Sequence, residues 1–181
     1  MSQKKISLLG VLGVLIAYIA IGFSIMFSPW FSWHHNALSD LGHSLKSPVA
    51  PVFNFGLQTA GLVVLVYAIV IFRKHAKYTS YFLIFSAFLL QLIGTFDEVY
   101  GFLHLVVSVL FFISISFTSI FYTIEKKSYK GVLSFTIIVL SWMLYGLKIY
   151  NAGIAVPETI SSLAVAFLLV SSSVKIYLKN T

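Results

Sequence analysis

The sequence predicts an all-α polytopic membrane protein, a bundle of six transmembrane helices with both termini cytoplasmic. Three observations predict it. The 181 residues are 59% hydrophobic and only 9% charged, with a mean hydropathy of +0.97; a water-facing surface needs far more charge than this. Six apolar runs each approach the ~20 residues that a helix needs to cross ~30 Å of hydrocarbon. The basic residues stand between those runs, in alternate connections.

The first span covers residues 6–27, behind Lys4 and Lys5. Its apolar core exceeds the ~7–15 residues of a signal peptide, and no A-x-A-like site follows. Gly10, Gly13 and Ala17 give it a small-residue face for close helix packing. The connection 28–51 is the longest, bounded by Pro29, Pro48 and Pro51. Span two, residues 52–72, pairs Gly56 and Ala60 with a polar stripe of Asn54 and Gln58 at i, i+4, and ends at Arg73, Lys74 and Lys77. Span three covers 78–96 and span four 102–123, followed by Lys126, Lys127 and Lys130. Span five covers 131–150. Span six, 157–178, opens on Pro157 and Glu158, ordinary choices for a helix start. Membrane strands would be only ~9–11 residues long and alternating, so all six are helices. Short connections make neighbours antiparallel and leave room for one domain, residues 1–181, without a 20–50-residue repeat.

Orientation follows from lysine and arginine. Ten of the twelve basic residues fall on one side; only Lys46 and Lys148 fall on the other. The bulk charge of +7 is therefore punctuation of a cell-membrane protein, not a nucleic-acid face. The absence of cysteine excludes disulfides, thiolate metal sites and a cysteine nucleophile.

The remaining ionisable residues collect on the outer side: Asp40, Asp97, Glu98 and Glu158, with His34, His35, His43 and His104. "GTFDEVYGFLH" puts Asp97 and Glu98 at the end of helix three and His104 in the first turns of helix four. A tight turn would bring Asp97 and His104 face to face, as an acid–base pair or as two ligands of a divalent metal. In "HHNALSDLGHS", Ser39 and Asp40 suit the start of a short helical turn and Gly42 its end. Asp40 and His43 share a face at i, i+3, and one of His34 and His35 can join them. The expected catalytic set is Asp97, His104, Asp40 and Ser39. The expected metal set is His43, His104, Asp97 and His35, with zinc the most suitable ion for imidazole and carboxylate ligands. Glu98, Glu158, Asn54 and Gln58 are further pocket candidates, although helix packing explains the last two as well. His104 and Ser108 form a second polar pair on helix four. Haem is not expected, because the two histidines facing each other across the membrane that a b-type haem needs cannot be drawn.

"NALSDLG", "FNFGLQTAGLVVL" and "GTFDEVYGFLH" together resemble the six-span prokaryotic membrane proteins grouped as domain of unknown function 998. That resemblance covers most of the chain, and it implies the six-helix fold without implying an activity. More distantly, Ser39 and His43 resemble the Ser-x-x-x-His element of the ceramidase and adiponectin-receptor superfamily of intramembrane zinc hydrolases. Six spans here replace seven, and no His-x-x-x-His occurs. The expected function is a metal-assisted or acid–base hydrolase of a membrane lipid at the outer leaflet. The alternatives are a proton-coupled transporter and a non-catalytic subunit or scaffold, acting as a homo-oligomer or within a membrane complex.

Overall fold

The computed structural model describes residues 3–179 and, among them, contains helices and no strand. After a short turn at Gln3–Ile6, six long helices follow. They are α1 (Leu9–Met26), α2 (Ala50–Tyr67), α3 (Lys77–Thr95), α4 (Phe102–Lys126), α5 (Tyr129–Gly146) and α6 (Ala155–Lys179). All six are long and apolar enough to cross a membrane. This is a multi-pass membrane protein.

The helix ends differ from the apolar runs for local reasons. Helix α2 continues through a π-helical stretch, Ala68–Phe72, into Arg73–His75. Helix α5 stops at Gly146, short of the expected residue 150. Lys148 there adopts a left-handed φ of 53°. The Lys148 N–H donates to Tyr145 O at 3.0 Å and the Ile149 N–H to Leu144 O at 3.1 Å, the paired bonds of a Schellman end.

Each helix packs on the next, and α6 returns against α1 to close the ring. Glycine sets the closest approach: a Cβ at Gly56 of α2 would strike the Ala20 side chain of α1, and one at Gly13 would lie 2.6 Å from Val64 Cγ2. Hydroxyl pairs join other helices at depth, as Ser86–Ser114 at 2.7 Å, Ser119–Ser134 at 3.0 Å and Ser141–Ser161 at 3.0 Å. In hydrocarbon such pairs satisfy each other where water cannot.

The bundle has two chemically different ends. At the base-rich end the Glu125 carboxylate of α4 accepts from Thr79 N at 2.9 Å and Thr79 Oγ1 at 2.7 Å, satisfying the first turn of α3. Lys126 Nζ donates to His75 O at 2.9 Å. At the acid-rich end the long connection is tied to the α5–α6 connection. Gly153 N donates to Trp33 O at 2.8 Å and Ala155 N to Asn36 O at 3.0 Å. Gly153 is needed there, since a Cβ would stand 2.6 Å from Asn36 O.

Candidate functional site at the acid-rich end

A 3₁₀ turn, Leu38–Gly42, carries the centre of the long connection down onto the bundle. Asp40 fixes its start: Oδ2 accepts from Ala37 N at 3.0 Å and from Asn36 Nδ2 at 2.6 Å. Asn36 in turn accepts from Ser32 N through Oδ1 at 2.9 Å. The next backbone donor, Leu38 N, reaches Glu158 Oε2 on α6 at 2.8 Å. Ser39 Oγ points to Glu98 Oε1 at 3.5 Å. Three carboxyl groups far apart in sequence, Asp40, Glu98 and Glu158, thus converge around one turn.

Their charges act on one another. Burial first, then the Asp40 carboxyl beside it and the Glu158 charge, push the Glu98 carboxyl up to about 7; Lys46 offsets only part of this. A carboxyl poised there can give or take a proton near neutral pH.

Below this cluster lies a cavity of about 150 Å³ between α1, α2, α3, α4 and α6. Ser39 and Glu158 line its polar end. Phe53, Leu57, Leu90, Ile93, Phe111 and Ile115 supply much of its apolar wall. Along α6 the lining runs from Glu158 to Leu169, about 16 Å at the helical rise per residue. That is close to half of the ~30 Å hydrocarbon thickness, while a volume of about 150 Å³ is that of a benzene-sized group, so a leaflet-length acyl chain enters only as the helices part. Hydroxyls in the wall are paired: Tyr18 donates to Ser162 Oγ at 2.9 Å.

Asp97 and His104 occupy the α3–α4 corner and bond to different groups. Asp97, 7% exposed, accepts from Val99 N at 2.9 Å through Oδ1 and from Ser44 N at 3.3 Å through Oδ2. It therefore starts the 3₁₀ turn Glu98–Tyr100 and ties the long connection to the corner. Gly101 follows at φ 53°, a left-handed turn that glycine takes without strain. His104 Nδ1 lies 2.7 Å from Phe96 O, and Nε2 lies 3.3 Å from Ser108 Oγ.

The other histidines stand apart. His34 and His35 are exposed, with His34 Nδ1 2.9 Å from Asn151 O. His43 Nδ1 is buried without a hydrogen-bond partner. Among the described residues, no three His, Asp or Glu side chains are grouped to hold a metal ion. Asn54 and Gln58 serve the helix contacts at this end, donating to Gly42 O and Gly94 O at 2.8 Å each.

The convergence of Asp40, Glu98 and Glu158 had only one local signal in the sequence, the collection of acids on one side. Their common turn depends on the Leu38 N–Glu158 bond across the bundle, which no spacing announces. The cavity likewise has no sequence signature, since its lining residues read as ordinary core.

A family model described as "Protein of unknown function (DUF998)" matches residues 11–175, a stretch that reaches into all six helices. The chain belongs to the DUF998 family. No curated protein and no solved structure matches the chain. The DUF998 description carries no activity.

Proposed function

We propose that this DUF998 protein is a membrane-embedded hydrolase, acting on a lipid-like substrate drawn from the leaflet at its acid-rich end. One observation carries the reading: an apolar cavity one leaflet deep terminates on Ser39 and Glu158. A hydrocarbon chain admitted as the helices part would fill the apolar part, and its polar linkage would meet Ser39, Glu158 and, through Ser39, Glu98. With a Glu98 carboxyl that titrates near 7 beside the Asp40 carboxyl, the mouth holds a group able to give or take a proton. Acid–base chemistry suits this donor set better than metal chemistry, because Asp97 and His104 spend their polar atoms on the backbone and on Ser108. A transporter would need a polar path through the midplane, and the deep walls of this cavity are apolar.

The test uses purified protein in nanodiscs containing ester- and amide-linked lipids, with products read by mass spectrometry. Turnover of at least one lipid is expected, falling by ~100-fold or more in Glu158→Gln, the scale of an acid–base group. Ala166→Phe, which fills the cavity, should abolish it. A protein that leaves every lipid intact would defeat the hydrolase reading.

The same reading places the acid-rich end at the outer leaflet, on the excess of lysine and arginine at the other end. The chain has no cysteine, so single cysteines report sidedness directly. Ser44→Cys and Asn151→Cys should react with an impermeant thiol reagent in intact cells, and Ser128→Cys should not. Labelling of the Ser128 position from outside would reverse the orientation.

A further inference from the structure

Many helical serines and threonines in this chain share a kind of partner, a backbone carbonyl three or four residues back; Ser80, Ser141, Ser162 and Ser171 use the nearer one. Ser86, Thr95, Ser116, Ser119, Thr159 and Ser172 all donate to the farther one, at 2.7–3.1 Å. Ser108 departs from this pattern. Its hydroxyl faces the imidazole of His104, one turn earlier on α4, at 3.3 Å from Nε2. The other ring nitrogen is fixed as well: Phe96 O, 2.7 Å away, can only accept, so Nδ1 carries a proton. In the neutral ring Nε2 is then the basic nitrogen, aimed at a hydroxyl. Nucleophile, base and a third group that orients the base stand in line.

The hydroxyl also stands where a substrate would be. Ser108 lines the cavity, and Phe111 and Ile115 continue the wall beneath it. His104 itself is only 7% exposed, out of bulk water. Ser108 lies six residues into α4, about 9 Å along the helix axis. For a helix that starts at the membrane surface, that depth is just past the interfacial layer, roughly 5–7 Å thick on each side of the hydrocarbon. A lipid whose chain fills the cavity carries its ester linkage at this level, above the chain and below the headgroup.

Resting on the hydrolase reading above, we propose that Ser108 is an acyl-accepting nucleophile and His104 its general base, acting on the carboxylic ester of a long-chain lipid. Ser108 Oγ bonds to the ester carbonyl carbon while its proton passes to His104 Nε2. The carbon–oxygen bond to the alcohol breaks, and the departing oxygen takes that proton. The acyl group now sits on Ser108. A water molecule attacks the same carbon, His104 Nε2 again takes a proton, and Ser108 Oγ recovers it as the fatty acid leaves. No electron acceptor or donor is required.

The probe is a long-chain alkyl fluorophosphonate, which phosphonylates an activated serine and releases fluoride. Applied to the wild-type protein in nanodiscs, it should modify Ser108, located by peptide mass spectrometry. Ser162, which shares the cavity but bonds Tyr18, should stay unmodified. His104→Ala should slow labelling by ~100-fold or more. Ser108→Ala and Ser108→Gly, each checked by thermal unfolding, should lose both labelling and ester turnover. Wild-type protein that turns over lipid esters with Ser108 unmodified, and folded Ser108→Ala that stays active, would overturn the proposal and leave the hydrolase reading intact. Absence of both ester turnover and labelling in the wild type would overturn this proposal, and the hydrolase reading falls with it when amide-linked lipids stay intact as well.

Discussion

Gly56→Leu is expected to lower the stability of the bundle by about 3 kcal/mol or more, the upper range for forcing a side chain into a packed contact. The first added atom already strikes the Ala20 side chain, and three further carbons have to go between α1 and α2. Those two helices cannot move apart locally, since Gly13 meets Val64 and the Ala60 carbonyl further along the same contact. Gly22→Leu is the matched control. A Cβ at Gly22 meets nothing within 4 Å, so this change adds a side chain facing lipid and should leave stability equal or slightly higher. Unfolding of both variants in mixed detergent, followed by helical circular dichroism, separates close packing from loss of glycine itself. Equal stability of the two variants would mean that α1 and α2 do not meet at Gly56.

Asp97 and Glu98 are adjacent acids with opposite expected effects. Asp97→Ala leaves the Val99 and Ser44 N–H groups without an acceptor. Val99 and Ser44 are exposed, so water takes over part of each lost bond, and a loss of about 1 kcal/mol, the scale of a removed helix cap, is expected. Glu98→Gln should instead stabilise above neutral pH. The folded carboxyl titrates at about 7 against an ordinary 4.5, so the native state holds a proton that the unfolded state releases. Stability from this group is complete below pH about 4.5 and is lost as pH rises through about 7. Water at this half-exposed position screens the charges, and the effect is about 1 kcal/mol. Stability measured at pH 5 and pH 8 should fall between them in the wild type and stay flatter in Glu98→Gln. A wild type whose stability rises over that interval would contradict the crowded-carboxyl account.

The spans were legible because hydrocarbon imposes one length on every helix, and length survives without knowledge of packing. Their ends were less so. Lysine at 148 carries no advance sign that it will take the left-handed position that usually belongs to glycine, and the π-helical stretch at Ala68–Phe72 lies in an unbroken apolar run. At the site, the acids and His104 could be assigned to one end from charge alone. Which of them meet could not. Asp97 and His104 are close in sequence, yet each finds a backbone group nearer than the other's side chain. Glu158 reaches the turn at Leu38 from 120 residues away. Ser108 was visible as the i+4 neighbour of His104, but only the cavity gives that neighbour a substrate-facing position.

The central claim, that a lipid chain occupies the bundle interior with its polar end at the acid-rich end, is tested most directly by photocrosslinking. A lipid carrying a photoactivatable group at the end of its acyl chain is incorporated into nanodiscs with the protein, irradiated, and its attachment sites are mapped by mass spectrometry. The account predicts adducts deep in the cavity, at Val64, Leu83 or Leu169, and their loss in Ala166→Phe. Adducts confined to the lipid-facing Leu15, Ile19, Phe55 and Leu163, unchanged by Ala166→Phe, would contradict it.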